Sequence, residues 1–222
     1  MAKVNSVLGP VDSKDLGYTL MHEHVLCANW TARIAYPDWI DRDEFMDLAL
    51  RMVRRAKDFG VKTIVDMTPP GLGRDINILR ELSEKAEINI IASTGFYWYE
   101  ETWLVGKDID RMTERLVNEV EKGMQGTDSK AGVIKCATDL LGITESNKRM
   151  LKIAANTQKA TGLPIYTHAT VKNRVGLDQQ QFFINEGIDP GKIAIGHCGD
   201  TDDIGFIEEI LKNGSYAGLD RF

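Results

Sequence analysis

Residues 43–67 read DEFMDLALRMVRRAKDFGVKTIVDM, and two periods follow one another within them. The first part sets Phe45, Leu48, Ala49, Met52 and Val53 on one helical stripe and ends at Gly60, a residue suited to closing a helix. The second part, VKTIVDM, is a short β-branched apolar run of the kind that forms a buried strand. A helix leading directly into a strand is the repeating unit of a parallel sheet with crossover helices.

The same unit recurs along the chain. Apolar runs stand at LMHEHVL, VKTIVDM, INIIAST, AGVIKCA, LPIYTHA, KIAIGHC and SYAGLDRF. Between them DINILRELSEKA, IDRMTERLVNEVEKGM, ESNKRMLKIAANTQKATG and DDIGFIEEILKNG carry helical periodicity, and GLDQQQFFINEG predicts a shorter helix. VNSVLGPVDSKDLGYT predicts an opening hairpin. Seven strands and six helices in alternation predict an α/β fold, either a doubly wound open sheet or a (β/α)8 barrel. No dinucleotide-binding glycine fingerprint follows the first strand, and GLGRD after the second reads as a turn into a helix.

Composition narrows the function. At 222 residues and 43% hydrophobic content the chain can bury a substantial core. A net charge of −6 with no basic stripe argues against a nucleic-acid partner. No segment reads as a membrane span or a signal peptide, so a cytoplasmic location is expected. Three cysteines, Cys27, Cys136 and Cys198, do not suggest a disulfide framework.

The chain has four histidines, and all of them close apolar runs: His22 and His24 in MHEHV, His168 in YTHA and His197 in IGHC. A strand sends residues i and i+2 to one face, so His22 and His24 point the same way. In a parallel barrel the C-terminal strand ends converge on one face, where active sites are built. Lys135, in GVIKCA, joins them as a charge inside an apolar strand, costly unless neutralised or paired. This donor set suits zinc or a similar divalent ion. Four neutral imidazoles cannot balance two such ions, and Lys135 adds an anion if carbon dioxide caps its amine as a carbamate. Spacing alone does not reach that last step. Glu23, Cys136 and Cys198 are neighbours of proposed ligands in their strands and face the other way, so thiolate ligands are disfavoured.

The motifs LGYTLMHEHV, VKTIVDMT, GLGRD, AGVIKCATD, THA, IGHCGDTDD and GLDRF resemble the phosphotriesterase family of the amidohydrolase superfamily, over essentially the whole chain, and most nearly its lactonase-type members. The resemblance implies a single (β/α)8 TIM-barrel domain over residues 1–222 and two metal ions, expected to be zinc, with cobalt, iron or manganese as alternatives. It implies that His22 and His24 hold the more buried ion and His168 and His197 the more exposed one. A carboxylated Lys135 and a hydroxide would bridge the two ions. The family's strand-eight aspartate has no counterpart here, because the chain ends at the seventh strand. The expectation is therefore a C-terminally truncated barrel, and neither Asp66 nor Asp220 takes over that aspartate's role. By the same resemblance Tyr97 and Arg221 bind substrate, and Asp200 serves the proton-relay region. The activity implied is attack of the bridging hydroxide on a lactone, with hydrolysis of organophosphate triesters as the alternative. A small-molecule ester is then the partner, and a homodimer a further expectation. A different class, an inactive fragment or a metal- or ligand-binding protein, stays open beside these.

Overall fold

The computed structural model describes residues 2–221. They fall into two compact units, residues 2–94 with 118–132, and residues 95–117 with 133–221.

The first unit opens with the expected hairpin, β1 (Lys3–Ser6) against β2 (Gly9–Asp12). Three strands follow: β3 (Tyr18–Glu23), β4 (Val61–Asp66) and β5 (Asn89–Gly95, whose last residue belongs to the second unit). They pair in parallel and in chain order, with Leu20 opposite Ile64 and Ile64 opposite Ile90. Helices α1 (Trp30–Ala35), α2 (Arg42–Asp58) and α3 (Ile76–Ala86) make the crossovers. Each starts on a side chain that accepts orphan backbone N–H groups: Asn29 for α1, Asp41 for α2 and Asp75 for α3.

The second unit continues the pattern. Helix α4 (Ile109–Glu121, whose last four residues belong to the first unit) is followed by β6 (Val133–Ala137), α5 (Glu145–Thr161), β7 (Ile165–His168), α6 (Val175–Asn185), β8 (Ile193–Ile195), α7 (Ile204–Lys212) and β9 (Tyr216–Ala217). The strands β6 to β9 pair in parallel, again in chain order. Thr144 and Asn147 form a reciprocal capping box on α5, and Gly162 ends that helix in the left-handed conformation. Ile134, Leu151, Ile165, Phe183, Ile195 and Phe206 lie in one core, which seats α5, α6 and α7 on the strands.

The fold class is α/β, and its parallel β–α succession is that of an incomplete (β/α)8 barrel, as expected. Two details differ from the sequence pattern. The structure has seven helices among the described residues, because α1, only six residues long, is too short to announce itself by periodicity. On α2 the fully buried residues are Met46, Leu50 and Val53, while Leu48 and Met52 are exposed. Phe45, Leu48, Ala49 and Met52 instead line a groove of about 350 Å³ together with Leu20 and Val25. Two apolar stripes compete on this helix, and packing against β4 and α3 chooses the one centred on Leu50. No helix among the described residues is long and apolar enough to cross a membrane.

Candidate functional site

In the first unit His22 is buried inside β3, and His24 lies just past the strand end and is exposed. Their ring centroids are 5.5 Å apart, as expected for an i, i+2 pair on one face. The Nδ1 of His24 lies 2.9 Å from the Thr68 hydroxyl, directly after β4.

Asp66, at the end of β4, ties these segments together. Its carboxylate accepts the Val25 N–H at 2.7 Å and the Thr68 N–H at 3.0 Å. Burial nevertheless dominates and pushes its carboxyl from the usual 3.8 up to about 6. The folded chain thus holds this proton more tightly than the unfolded chain does. The associated stability is complete below pH 3.8 and is lost as the pH rises through about 6. Relative to an Asp66→Asn variant, the metal-free chain should lose on the order of 2 kcal/mol between about pH 4 and about pH 7. Urea denaturation at stepped pH measures this, and parallel profiles for the two proteins would contradict it.

In the second unit Lys135 lies at the middle of β6 rather than at its end, fully buried, with Tyr166 opposite in register. The chain that leads to Tyr97 passes very close by. The Phe96 N–H donates to the Lys135 carbonyl at 3.2 Å, and a Cβ on Gly95 would sit 2.0 Å from that oxygen, at a φ of +114°. Only glycine permits this approach. Tyr97 then sets its ring edge-on to His168, with centroids 5.2 Å apart.

His168 ends β7, and His197 lies two residues beyond β8 in the left-handed region at φ 62°. Such backbone strain in a non-glycine residue persists only where its surroundings hold it. Here Asp220 does so: one carboxylate oxygen takes both the His197 N–H at 2.9 Å and its ring Nδ1 at 2.8 Å. The other oxygen accepts the Tyr166 hydroxyl at 3.0 Å. Burial, and then the charge of Asp220, push the Tyr166 phenol well above its usual range, so it remains a donor. On its far side the His197 ring brings Nε2 within 2.9 Å of Nδ1 of His168. The Nε2 of His168 in turn faces Asp139 at 3.5 Å. Two imidazoles thus converge on one point while a carboxylate stands behind each. This donor set fits a divalent cation.

The structure also joins two other expected site residues, for Arg221 pairs with Asp200 at 2.6 Å. Cys136 and Cys198 are buried in the apolar core, and burial pushes each thiol up to about 12. They are therefore packed thiols; Cys136 lies in β6 as expected, whereas Cys198 lies past the end of β8, in a short 3-10 turn at Cys198–Asp200. Nothing in the sequence pattern singles out Thr68, Asp139 or Tyr166, and Asp220 stands there only as the end of its strand. Each contacts a histidine, or a histidine's carboxylate partner, that is distant along the chain.

The family model described as "Phosphotriesterase family" matches residues 2–222. An aryldialkylphosphatase of Saccharolobus solfataricus is 42% identical over 96% of this chain and 68% of its own length. A phosphotriesterase homology protein of Mycobacterium tuberculosis is 42% identical over 100% of this chain and 71% of its own length. A phospho-furanose lactonase of Mycoplasmopsis agalactiae is 33% identical over 94% of this chain and 63% of its own length.

Proposed function

The chain belongs to the phosphotriesterase family, and on that premise we propose that it is a dinuclear-metal hydrolase that opens lactone rings. In this reading residues 1–222 serve as one hydrolase domain. His22, His24, Lys135, His168 and His197 would hold the two ions, zinc first among the candidates. The observation that carries the reading is the convergence of His168 and His197, each backed by a carboxylate. When bound, a pair of divalent ions lowers the pKa of a shared water and polarises a substrate carbonyl or phosphoryl oxygen.

The chain's own residues would do the rest. Lys135 contributes negative charge once its amine adds to carbon dioxide, forming an N–C bond and releasing a proton. Tyr97, beside His168, orients the ester oxygen of the substrate. Asp200 accepts and passes on protons, and Arg221 fixes its carboxylate. The aromatic segment around Tyr97, Trp98 and Tyr99 offers an apolar wall to a substrate chain.

Organophosphate triesters are the second reading, favoured by the archaeal relative named as an aryldialkylphosphatase. The purified chain, loaded with zinc or cobalt, should bind two ions and hydrolyse lactones faster than triesters. Metal analysis and parallel assays on both substrate classes test this. Faster triester hydrolysis selects the second reading. Bound metal without turnover of either class leaves a binding protein, and absence of both metal and turnover removes the hydrolase.

A further inference from the structure

Resting on the dinuclear reading, we propose that Asp220 and Asp139 are positioning residues that dictate which nitrogen each of two histidines offers to a cation, Nε2 for His197 and Nδ1 for His168. A carboxylate can only accept, so the ring nitrogen facing it carries the hydrogen. At His197 that nitrogen is Nδ1, 2.8 Å from Asp220. At His168 the carboxylate of Asp139 faces Nε2 at 3.5 Å, an ion-pair distance rather than a hydrogen bond, and so biases the ring only weakly. The remaining nitrogens lie 2.9 Å from one another. Two lone pairs at that distance repel unless they share a proton or a cation, so the carboxylates build a position that calls for positive charge.

The support behind Asp220 is specific. Its ring-facing oxygen also takes the His197 backbone N–H, which fixes the ring relative to its own main chain. The Tyr166 hydroxyl holds the other oxygen, so the carboxylate cannot rotate away. Gly218 leaves room for that hydroxyl, because a Cβ there would stand 2.3 Å from it. Asp139 has a longer contact and should exert the weaker hold.

The 222-residue chain labelled with ¹⁵N-histidine reads these roles directly, since four histidines give few signals and ring nitrogens with and without hydrogen resonate far apart. Zinc-loaded wild type should show hydrogen on Nδ1 of His197 and on Nε2 of His168. Asp220→Ala should weaken zinc binding about 10–100-fold and release the His197 tautomer. Asp220→Asn keeps an acceptor oxygen without the charge and should fall between the two, and Asp139→Ala should show a smaller loss. If Asp220→Ala fails to fold, Asp220→Asn still decides: wild-type affinity and an unchanged His197 spectrum would overturn the proposal. Hydrogen on Nε2 of wild-type His197 would overturn it as well. The two failures are separable. A wild-type chain that binds no zinc sinks the dinuclear reading, while Nδ1 of His197 should carry hydrogen even in the metal-free chain.

Discussion

Replacing Lys135 by methionine is expected to cut affinity for divalent ions by roughly 10²- to 10³-fold while leaving the metal-free chain folded. The two halves of this outcome have separate causes. Zinc sites are worth about 10–16 kcal/mol when several ligands act together, so one ligand accounts for roughly 3–4 kcal/mol. Hydrolytic activity should fall with occupancy. The chain should still fold, because methionine fills a volume similar to that of Lys135 within β6. If the lysine contributes as a carbamate, metal loading of the wild type should also depend on bicarbonate, and that of Lys135→Met should not. Calorimetric zinc titration with urea denaturation of the metal-free proteins checks both halves. Unchanged affinity removes Lys135 from the ligand set. Unfolding with unchanged affinity per folded chain would make it a structural residue.

Lys135 also marks how far a one-dimensional pattern reaches. An apolar run interrupted by a lysine stands out along the chain, as do histidines that end strands, because strand geometry alone brings i and i+2 to one face. Most helices are legible for a related reason: an apolar stripe sustained over more than ten residues rarely arises except where a helix lays one face on a core. What stays hidden depends on packing. Met46, Leu50 and Val53 form as good a stripe on α2 as the expected stripe of Phe45, Leu48, Ala49, Met52 and Val53, which shares Val53 with it, and only the core decides between them. Asp220 is hidden differently. Its partners His197 and Tyr166 lie 23 and 54 residues away, and nothing local separates a carboxylate that orients a histidine from one that only ends a strand. The pairing of Arg221 with Asp200 likewise needs coordinates, since the chain itself allows substrate contact or an ion pair.

Arg74→Leu should lower the stability of the chain by about 3 kcal/mol, an effect as large as the loss of a metal ligand but unrelated to metal. Arg74 is almost wholly buried between α3 and the end of β5. One guanidinium nitrogen donates to the Ser93 carbonyl at 2.8 Å and to Glu119 at 2.9 Å, and the other reaches the second Glu119 oxygen at 2.5 Å. Glu119 accepts the Thr94 hydroxyl as well, at 2.6 Å. The Arg74 carbonyl accepts the side chain of Gln125, which in turn accepts the first N–H of α3. Removing the guanidinium therefore strands a carboxylate and a carbonyl whose other partners cannot follow it. The expected loss sits at the low end for a broken buried pair because Glu119 keeps about a fifth of its side chain in water. Lysine should not rescue the loss, since one ammonium cannot reproduce a two-pronged contact. Arg74→Leu combined with Glu119→Leu should recover much of it, because neither charge is then left unpaired. Urea midpoints of the wild type, the two leucine variants, their combination and the lysine variant measure the coupling. Additive losses in the double variant would mean that the two side chains act independently, and a lysine variant as stable as the wild type would mean that charge alone, not the fork, holds α3 to β5.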